Sequence, residues 1–440
     1  MTTTPRHLTS IVTTDFSGVT RGRPVETARL ERYAATGIGW VPANISLTPF
    51  NAIADPNPWG SSGDLRILPD LDAVYTTAQT GSATPLSLAM GNIVDLEGHR
   101  WDLCSRSILQ DAIGEMEAET GFCLLATFEQ EFQVFGAPWP PAHAFSVAGL
   151  RRADPFPSEV LSALDEAGIE PEMFLAEYGN DQFEITSAPA SALAAADRAV
   201  ATREIIREIA RVRGWQASFA PKTSLSGVGN GVHVHFSLVD RNGTPVGYDA
   251  EAAGGLSDLF GAFAAGVLAH LPAITVLSAP SAPSYYRLQP HFWSASWTWL
   301  GDRDRESSLR ICPIAAFGGK DKARQFNMEY RPADATGNPY LTLAAIIRSG
   351  IDGLRRKLPP PPIFSGDPAT LSEAERKSLG LKRLPSSLDE ALAAFEADET
   401  VTSWFSPLFI ETYLGVRRQE LQMLAGKSPD EICDLYRGLF

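Results

Sequence analysis

Three stretches of this chain set titratable side chains at every second position within otherwise apolar, strand-like sequence. They are Thr127-Phe128-Glu129-Gln130-Glu131-Phe132, Gly231-Val232-His233-Val234-His235-Phe236-Ser237 and Asn327-Met328-Glu329-Tyr330-Arg331. Side chains of a β-strand alternate between its two faces, so Glu129 and Glu131 share a face, as do His233, His235 and Ser237, and Glu329 with Arg331. Any one of these has an ordinary explanation: a solvated strand face, a satisfied core histidine, an intramolecular ion pair. Three together, in a chain with only seven histidines, predict a sheet that gathers carboxylates, imidazoles and a guanidinium on one side. Adjacent carboxylates repel, and burying them requires cations. Asp240-Arg241-Asn242-Gly243 supplies a hairpin turn after the second stretch.

Glu177-Tyr178-Gly179-Asn180-Asp181-Gln182-Phe183-Glu184 adds two carboxylates across a turn that Gly179 and Asn180 make easy. Glu129, Glu131, Glu177, Glu184 and Glu329 with His233 form an oxygen-rich donor set suited to two hard divalent ions, Mg²⁺ or Mn²⁺, and poor for zinc. Two such ions point to phosphoryl chemistry. Cationic residues accompany them: Arg287 in Ser284-Tyr285-Tyr286-Arg287, Arg305 and Arg310 in Arg305-Glu306-Ser307-Ser308-Leu309-Arg310, and Arg331. Guanidinium groups hold phosphate and carboxylate in bidentate geometry. No GxxxxGK[ST] loop occurs, and Gly227-Val228-Gly229-Asn230-Gly231 leads into a strand rather than a helix, so it reads as a substrate loop and not a dinucleotide fingerprint.

At 440 residues the chain is long enough for two domains. Residues 1–100 carry β-like runs (HLTSIVTTDF, GIGWVPANISL, DLRILPDLDAVY), and from about Trp101 helix and strand alternate through 101–440. Helices are expected at Ser107 to Thr120, 190–213, 251–272 and 340–357, with strands at FCLLATFEQEFQVF, Val232–Val239 and Phe326–Arg331. The run Pro359–Pro362 is a stiff connector. With 52 acidic against 37 basic residues the net charge is −15, the wrong sign for a nucleic-acid partner. Four cysteines without a CxxC pair predict neither a disulfide framework nor structural zinc. No run of about 18 apolar residues and no apolar leader in MTTTPRHLTS appear, so a cytoplasmic protein without a membrane partner is expected.

The ordered set of ExE, a GxxQxE-like turn, GxGxHxHxSL, SYxR, RxxxxR and ExR followed by Asn338-Pro339-Tyr340-Leu341 resembles the glutamine synthetase superfamily, and among its members the glutamate–amine ligases. The resemblance implies an α+β protein. It would have a small β-grasp N-terminal domain, a catalytic domain whose curved antiparallel sheet is flanked by helices, and a homo-oligomeric ring, a dodecamer of two stacked hexamers with active sites between neighbours. It further implies ATP as co-substrate and glutamate as the acid. Glu131, Glu177 and Glu184 match the ligands of one metal, and Glu129, His233 and Glu329 those of a second on the ATP phosphates. Arg287 matches the clamp on the glutamate α-carboxylate and Gly229 a backbone contact to it. Arg305, Arg310 and Arg331 match the groups that neutralise the transferring phosphoryl. His235, Ser237 and Arg324 fall where ATP contacts do. The implied mechanism activates a carboxylate as its acyl-phosphate, which an amine then attacks.

Three departures concern the amine. The glutamate that ammonium-using members carry six residues after the clamping arginine is Trp293 here, and an asparagine five residues before the metal histidine is Val228. The aspartate lent by a neighbouring subunit has no clear counterpart, Asp55 and Asp64 being candidates. Both clear replacements favour an organic amine over ammonium. A small or aromatic monoamine is expected, because a polyamine needs further carboxylates that Trp293 and its aromatic surroundings (Phe292, Trp297, Trp299) do not offer. An ordinary glutamine synthetase with His291 or Asp302 as its base is the main alternative. A non-catalytic ring protein and a guanidino kinase fit less well.

Overall fold

The computed structural model describes residues 6–55 and 57–440. The N-terminal part forms one sheet from β1 (Leu8–Thr14), β2 (Thr20–Glu26), β3 (Ile38–Trp40), β4 (Leu65–Thr77) and β5 (Leu86–Val94), in the order β2-β1-β5-β4-β3. Only β1 and β5 run parallel, Ser10 facing Leu88, and a short helix at Leu30–Ala34 covers the sheet, a β-grasp arrangement. The run GIGWVPANISL supplies a strand only as far as Trp40. Pro42 has no N–H to give a ladder, and Pro42–Ser46 turns into a 3₁₀ helix instead.

The catalytic part is built on a nine-stranded sheet. Its strands are β6 (Phe122–Phe135), β7 (Pro171–Ala176), β8 (Gln182–Ser187), β9 (Ala190–Ser191), β10 (Gln216–Ser218), β11 (Val232–Asp240), β12 (Leu300–Asp302), β13 (Leu309–Ile311) and β14 (Met328–Tyr330). They run in the order β12-β13-β14-β11-β6-β8-β7, with β9 and β10 also on β6. Pairing is antiparallel except between β12 and β13. Along β6, β11 and β14 the apolar set Phe128, Phe132, Val234, Phe236, Met328 and Tyr330 is buried. It packs toward the helices, Phe236 lying 5.8 and 5.9 Å from Phe260 and Phe263. The alternate set therefore faces the other way, as the two-residue period requires.

Helices Ser105–Thr120, Ala192–Val212, Asp258–Ser278 and Pro339–Arg355 cover that apolar face. Two begin where local chemistry dictates. Asn338 caps the last through its side chain, with Pro339 in the first turn, where a missing N–H costs nothing. Asp258–Ser278 starts seven residues later than the sequence suggests, because Gly254 and Gly255 adopt left-handed backbone and Ser257 then caps Phe260. This helix is long and apolar enough to cross a membrane, yet 72% of its apolar window is buried inside the fold, which marks a core helix. The two sheets are joined by polar contacts. Asn338 and Ser105 donate to the carbonyls of Thr14 and Asp15, and Arg106 joins Asp70 at 2.7 Å to Asp197 at 2.8 Å.

Candidate active site

Antiparallel register assembles the site. His233 stands opposite Glu129 across β11 and β6, Glu131 opposite Glu184 across β6 and β8, His235 opposite Glu329 across β11 and β14, and Arg310 opposite Glu329 across β13 and β14. Glu129, Glu131, Glu184, His233, Arg310 and Glu329 line one cavity of about 720 Å³, together with Glu177, Val228, Gly229, Arg287, Arg305 and Arg331. His235 is not part of the cavity wall but lies behind it, Nε2 3.4 Å from Glu129.

The carboxylates fall into two electrostatic groups. His233 Nδ1 is 2.8 Å from Glu129 and 3.4 Å from Glu329. Glu329 also holds Arg310 at 2.8 Å and pairs with Arg331. Burial pushes both carboxyls up, but His233 and His235 hold Glu129 well below its ordinary value, and Arg331 and the histidines bring Glu329 down to about 2. On the β8 side compensation is weaker: His233 Nδ1 is 4.0 Å from Glu131, and Arg287 and Arg305 act on Glu131 and Glu177 without an ion pair. Burial, with the charges of neighbouring glutamates, raises Glu131 to about 8 and Glu184 to about 10, and raises Glu177. Glu131 takes one hydrogen bond, from Gly231 N–H at 2.7 Å. Carboxylates packed this closely, with too little basic charge to hold them ionised, fit a site for divalent cations. Glu129, Glu131 and Glu184 offer oxygens within 4.8 Å of one another, and so do donors of Glu129, His233 and Glu329.

The arginines leave binding capacity free. Arg287, on the short helix Ala282–Arg287, is fixed by hydrogen bonds to the carbonyls of Pro332 (2.5 Å) and Ala333 (2.7 Å), while its Nε is buried without a partner. Arg310 Nε is likewise unpartnered. Buried cationic donors lining a cavity call for an anionic ligand.

Not every expected residue reaches the cavity. Ser237 lies farther along β11, opposite Leu125. Arg324 is exposed on the short helix Lys322–Gln325, 3.9 Å from Asp321. Asp302 is on β12 beside Arg303. Asp55 and Asp64 are exposed on the segment before β4, away from this cavity. Trp297 and Trp299, expected beside Trp293, are elsewhere: Trp297 packs under Arg376 and Arg383, and Trp299 is buried against Phe364. The reason is that backbone beyond Ser294 returns into the sheet edge, where Thr298 and Trp299 bond to Lys382 and Ser308. The aromatic wall is instead Phe145, Tyr178, Phe292 and Trp293, with Leu175 and Val228. Phe145 carries no sequence signal. Gln182 does, sharing the face of Glu184: its amide bridges Gly179 N–H, Gly229 C=O and the Asn230 side chain, each at 2.8 Å, and so fixes the substrate loop.

The cavity thus sets clustered carboxylates and His233, a donor set that suits divalent cations, beside arginines of which two, Arg287 and Arg310, keep a buried Nε without a partner. Residues 102–436 match the glutamine synthetase catalytic domain and residues 1–101 the glutamine synthetase N-terminal domain. The chain belongs to the glutamine synthetase family and is an ATP-dependent carbon–nitrogen ligase. It is 35% identical to the gamma-glutamylpolyamine synthetase GlnA3 of Streptomyces coelicolor, covering 96% of this chain and 91% of that protein. It is 30% identical to the glutamine synthetase of Pyrococcus furiosus, covering 89% and 85%. A solved structure described as a novel glutamine synthase homolog superposes with a TM-score of 0.93 at 44% identity over the whole of both chains.

Proposed function

We propose that the enzyme joins the γ-carboxylate of glutamate to an organic monoamine by way of γ-glutamyl phosphate. The observation that carries this reading is the composition of the cavity wall. Every carboxylate lining it, Glu129, Glu131, Glu177, Glu184 and Glu329, belongs to the set assigned to the cations; the rest of the wall is basic (Arg287, Arg305, Arg310, Arg331), imidazole or neutral polar, with an aromatic and aliphatic patch of Phe145, Leu175, Tyr178, Val228, Phe292 and Trp293, and no further acid among the described residues. A second ammonium group would find no acid of its own there, and Lys222, whose Nζ lies 5.0 Å from the Phe292 ring, adds a positive charge nearby. That is why a monoamine is preferred although one relative is named for polyamines.

The residues divide the work by charge. Arg287 and the Gly229 backbone would bind the glutamate α-carboxylate. Glu131, Glu177 and Glu184, and separately Glu129, His233 and Glu329, would hold two Mg²⁺ or Mn²⁺ ions, which when bound supply positive charge to the phosphates and the acid. Arg305, Arg310 and Arg331 would neutralise the oxygens of the phosphoryl group in transit. A carboxylate is a poor electrophile, and preorganised charge of this kind is the main device for phosphoryl transfer to it. The aromatic wall would then seat the amine and exclude water from the acyl-phosphate. Ring assembly, with Asp55 or Asp64 reaching a neighbour's cavity, is part of the same proposal.

The test is phosphate release with Mg·ATP and glutamate against ammonium, ethylamine, ethanolamine, putrescine and aniline. A monoamine should give the highest kcat/KM. Preference for ammonium would make this an ordinary glutamine synthetase, with His291, which does line the cavity, as the first base to examine.

A further inference from the structure

Trp293 is 62% exposed, so packing does not hold its indole in place; the backbone must. That backbone is unusual. His291 and Trp293 both have positive φ, 65° and 52°, without being glycine. Each such residue is strained and persists only where surrounding groups over-determine it. The surrounding group is Glu306. One carboxylate oxygen accepts the His291 N–H at 3.1 Å and the other accepts the Trp293 N–H at 2.6 Å. The Trp293 carbonyl is held in turn by Arg331 at 2.9 Å, and Arg331 also donates to the Arg305 carbonyl at 3.0 Å. Ser294 completes the bracing by donating to the Arg287 carbonyl at 2.6 Å. Glu306 itself is fixed, its N–H donating to Asp304 at 2.9 Å.

We infer that Glu306 is a positioning residue for amine specificity: its carboxylate ties the strained His291–Trp293 backbone to the arginine-bearing segment and so presets the aromatic wall against which the amine packs. Both of its oxygens accept backbone N–H groups, which turns the carboxylate toward the loop backbone. The same bracing links the wall to Arg331 and Arg305, so the amine pocket and the phosphoryl-binding arginines form one rigid piece. The specificity half of this inference rests on the organic-amine reading above; the bracing half does not.

The experiment uses the full-length enzyme and the variants Glu306→Ala and Glu306→Gln, with two readouts. Amide hydrogen exchange in the segment 289–295 should accelerate about tenfold or more in Glu306→Ala, since two N–H groups lose their acceptor, and by less in Glu306→Gln, which keeps one acceptor oxygen. In steady-state assays KM for the best organic amine should rise about tenfold in Glu306→Ala while KM for glutamate and ATP stays within about twofold, and the preference over ammonium should shrink accordingly. Unchanged exchange at 289–295 overturns the bracing. Faster exchange with an unchanged amine KM, or equal rises in all three KM values, overturns the role in specificity. A wild type that prefers ammonium refutes the organic-amine reading and this role with it, while the exchange result still decides the bracing.

Discussion

Gly229 and Arg287 touch so closely that a Cβ on the glycine would lie 2.6 Å from Arg287 Cγ and 2.9 Å from its Cδ. The loop from Gly227 to Gly231 is thus moulded around the stem of Arg287. Gly229→Ala must push that stem aside, and overpacking of this kind costs about 1–3 kcal/mol. Since the displaced group is the proposed carboxylate clamp, KM for glutamate should rise about tenfold with KM for ATP little changed. Isothermal titration and steady-state kinetics would check this, and an unaltered glutamate KM would remove Arg287 from the binding role.

Glu131→Ala and Glu329→Ala should each abolish phosphate release while circular dichroism stays native. Loss of a carboxylate from a two-cation site leaves phosphate charge uncompensated, at least about 3 kcal/mol of barrier, or more than about a hundredfold in rate. Glu329→Ala also frees Arg310 and Arg331, so it should be the more damaging of the two. Near-normal turnover in either variant is the result that would defeat the assignment.

The raised carboxyls make a pH prediction with a definite sign. Glu131 at about 8 and Glu184 at about 10 keep protons in the folded, metal-free state that the unfolded chain has already released above its ordinary 4.5. The folded state binds more protons, so stability of the metal-free protein should fall as pH rises from about 4.5 to about 8, and less steeply on to about 10. The depressed Glu129 and Glu329 act in the opposite direction, but only at lower pH. Cations compete with those same protons, so Mg²⁺ affinity should strengthen with pH and binding should release protons into a weak buffer. Thermal melts with and without Mg²⁺ would show it; affinity independent of pH would not be compatible with these carboxylates as ligands.

Trp293→Glu should move selectivity toward ammonium. Ammonium is almost wholly protonated near neutral pH and needs a positioned base and negative charge, whereas an indole offers an apolar face worth about 0.8 kcal/mol for each methylene it covers. The ratio of kcat/KM values for ethylamine and ammonium measures the effect. An unchanged ratio would acquit Trp293 even if an organic amine remains the best substrate.

A ring whose sites lie between subunits makes the catalytic part dependent on its neighbour. Residues 101–440 expressed alone should be inactive, and the full chain should sediment as a large oligomer. An active full-length monomer would contradict the proposal.

The period-two strands made the core of this site legible before any coordinates, because alternation fixes which residues share a face and antiparallel register then brings the faces together. Glu129, His233 and Glu329 needed nothing more. What could not be read was anything set by backbone path. The loop after Arg287 reverses within a few residues, so Trp297 and Trp299, near neighbours of Trp293 in sequence, end at the sheet edge, and Phe145, distant in sequence, joins the wall instead. Helix boundaries failed for the same reason at Gly254 and Gly255, whose conformation is not encoded in apolar spacing. Glu306 stood in full view between two arginines, but its task is to accept two backbone N–H groups, and no pattern of side chains advertises that.

β6 is paired with β8, β9, β10 and β11 at once, and this has a consequence for how such a chain can change over time. One residue inserted between Ala126 and Phe128 would turn Glu129 and Glu131 into the apolar interior and bring Phe128 out to the cavity, and no partner strand could slip to follow, since each has a second neighbour or its own loop to satisfy. Substitutions can retune the wall and even the acid, one side chain at a time. The length of this strand is the part of the inheritance that tolerates no experiment, whereas the exposed side chains at the tip of the loop after Arg287, Phe292 and Trp293, are where new amines can be tried.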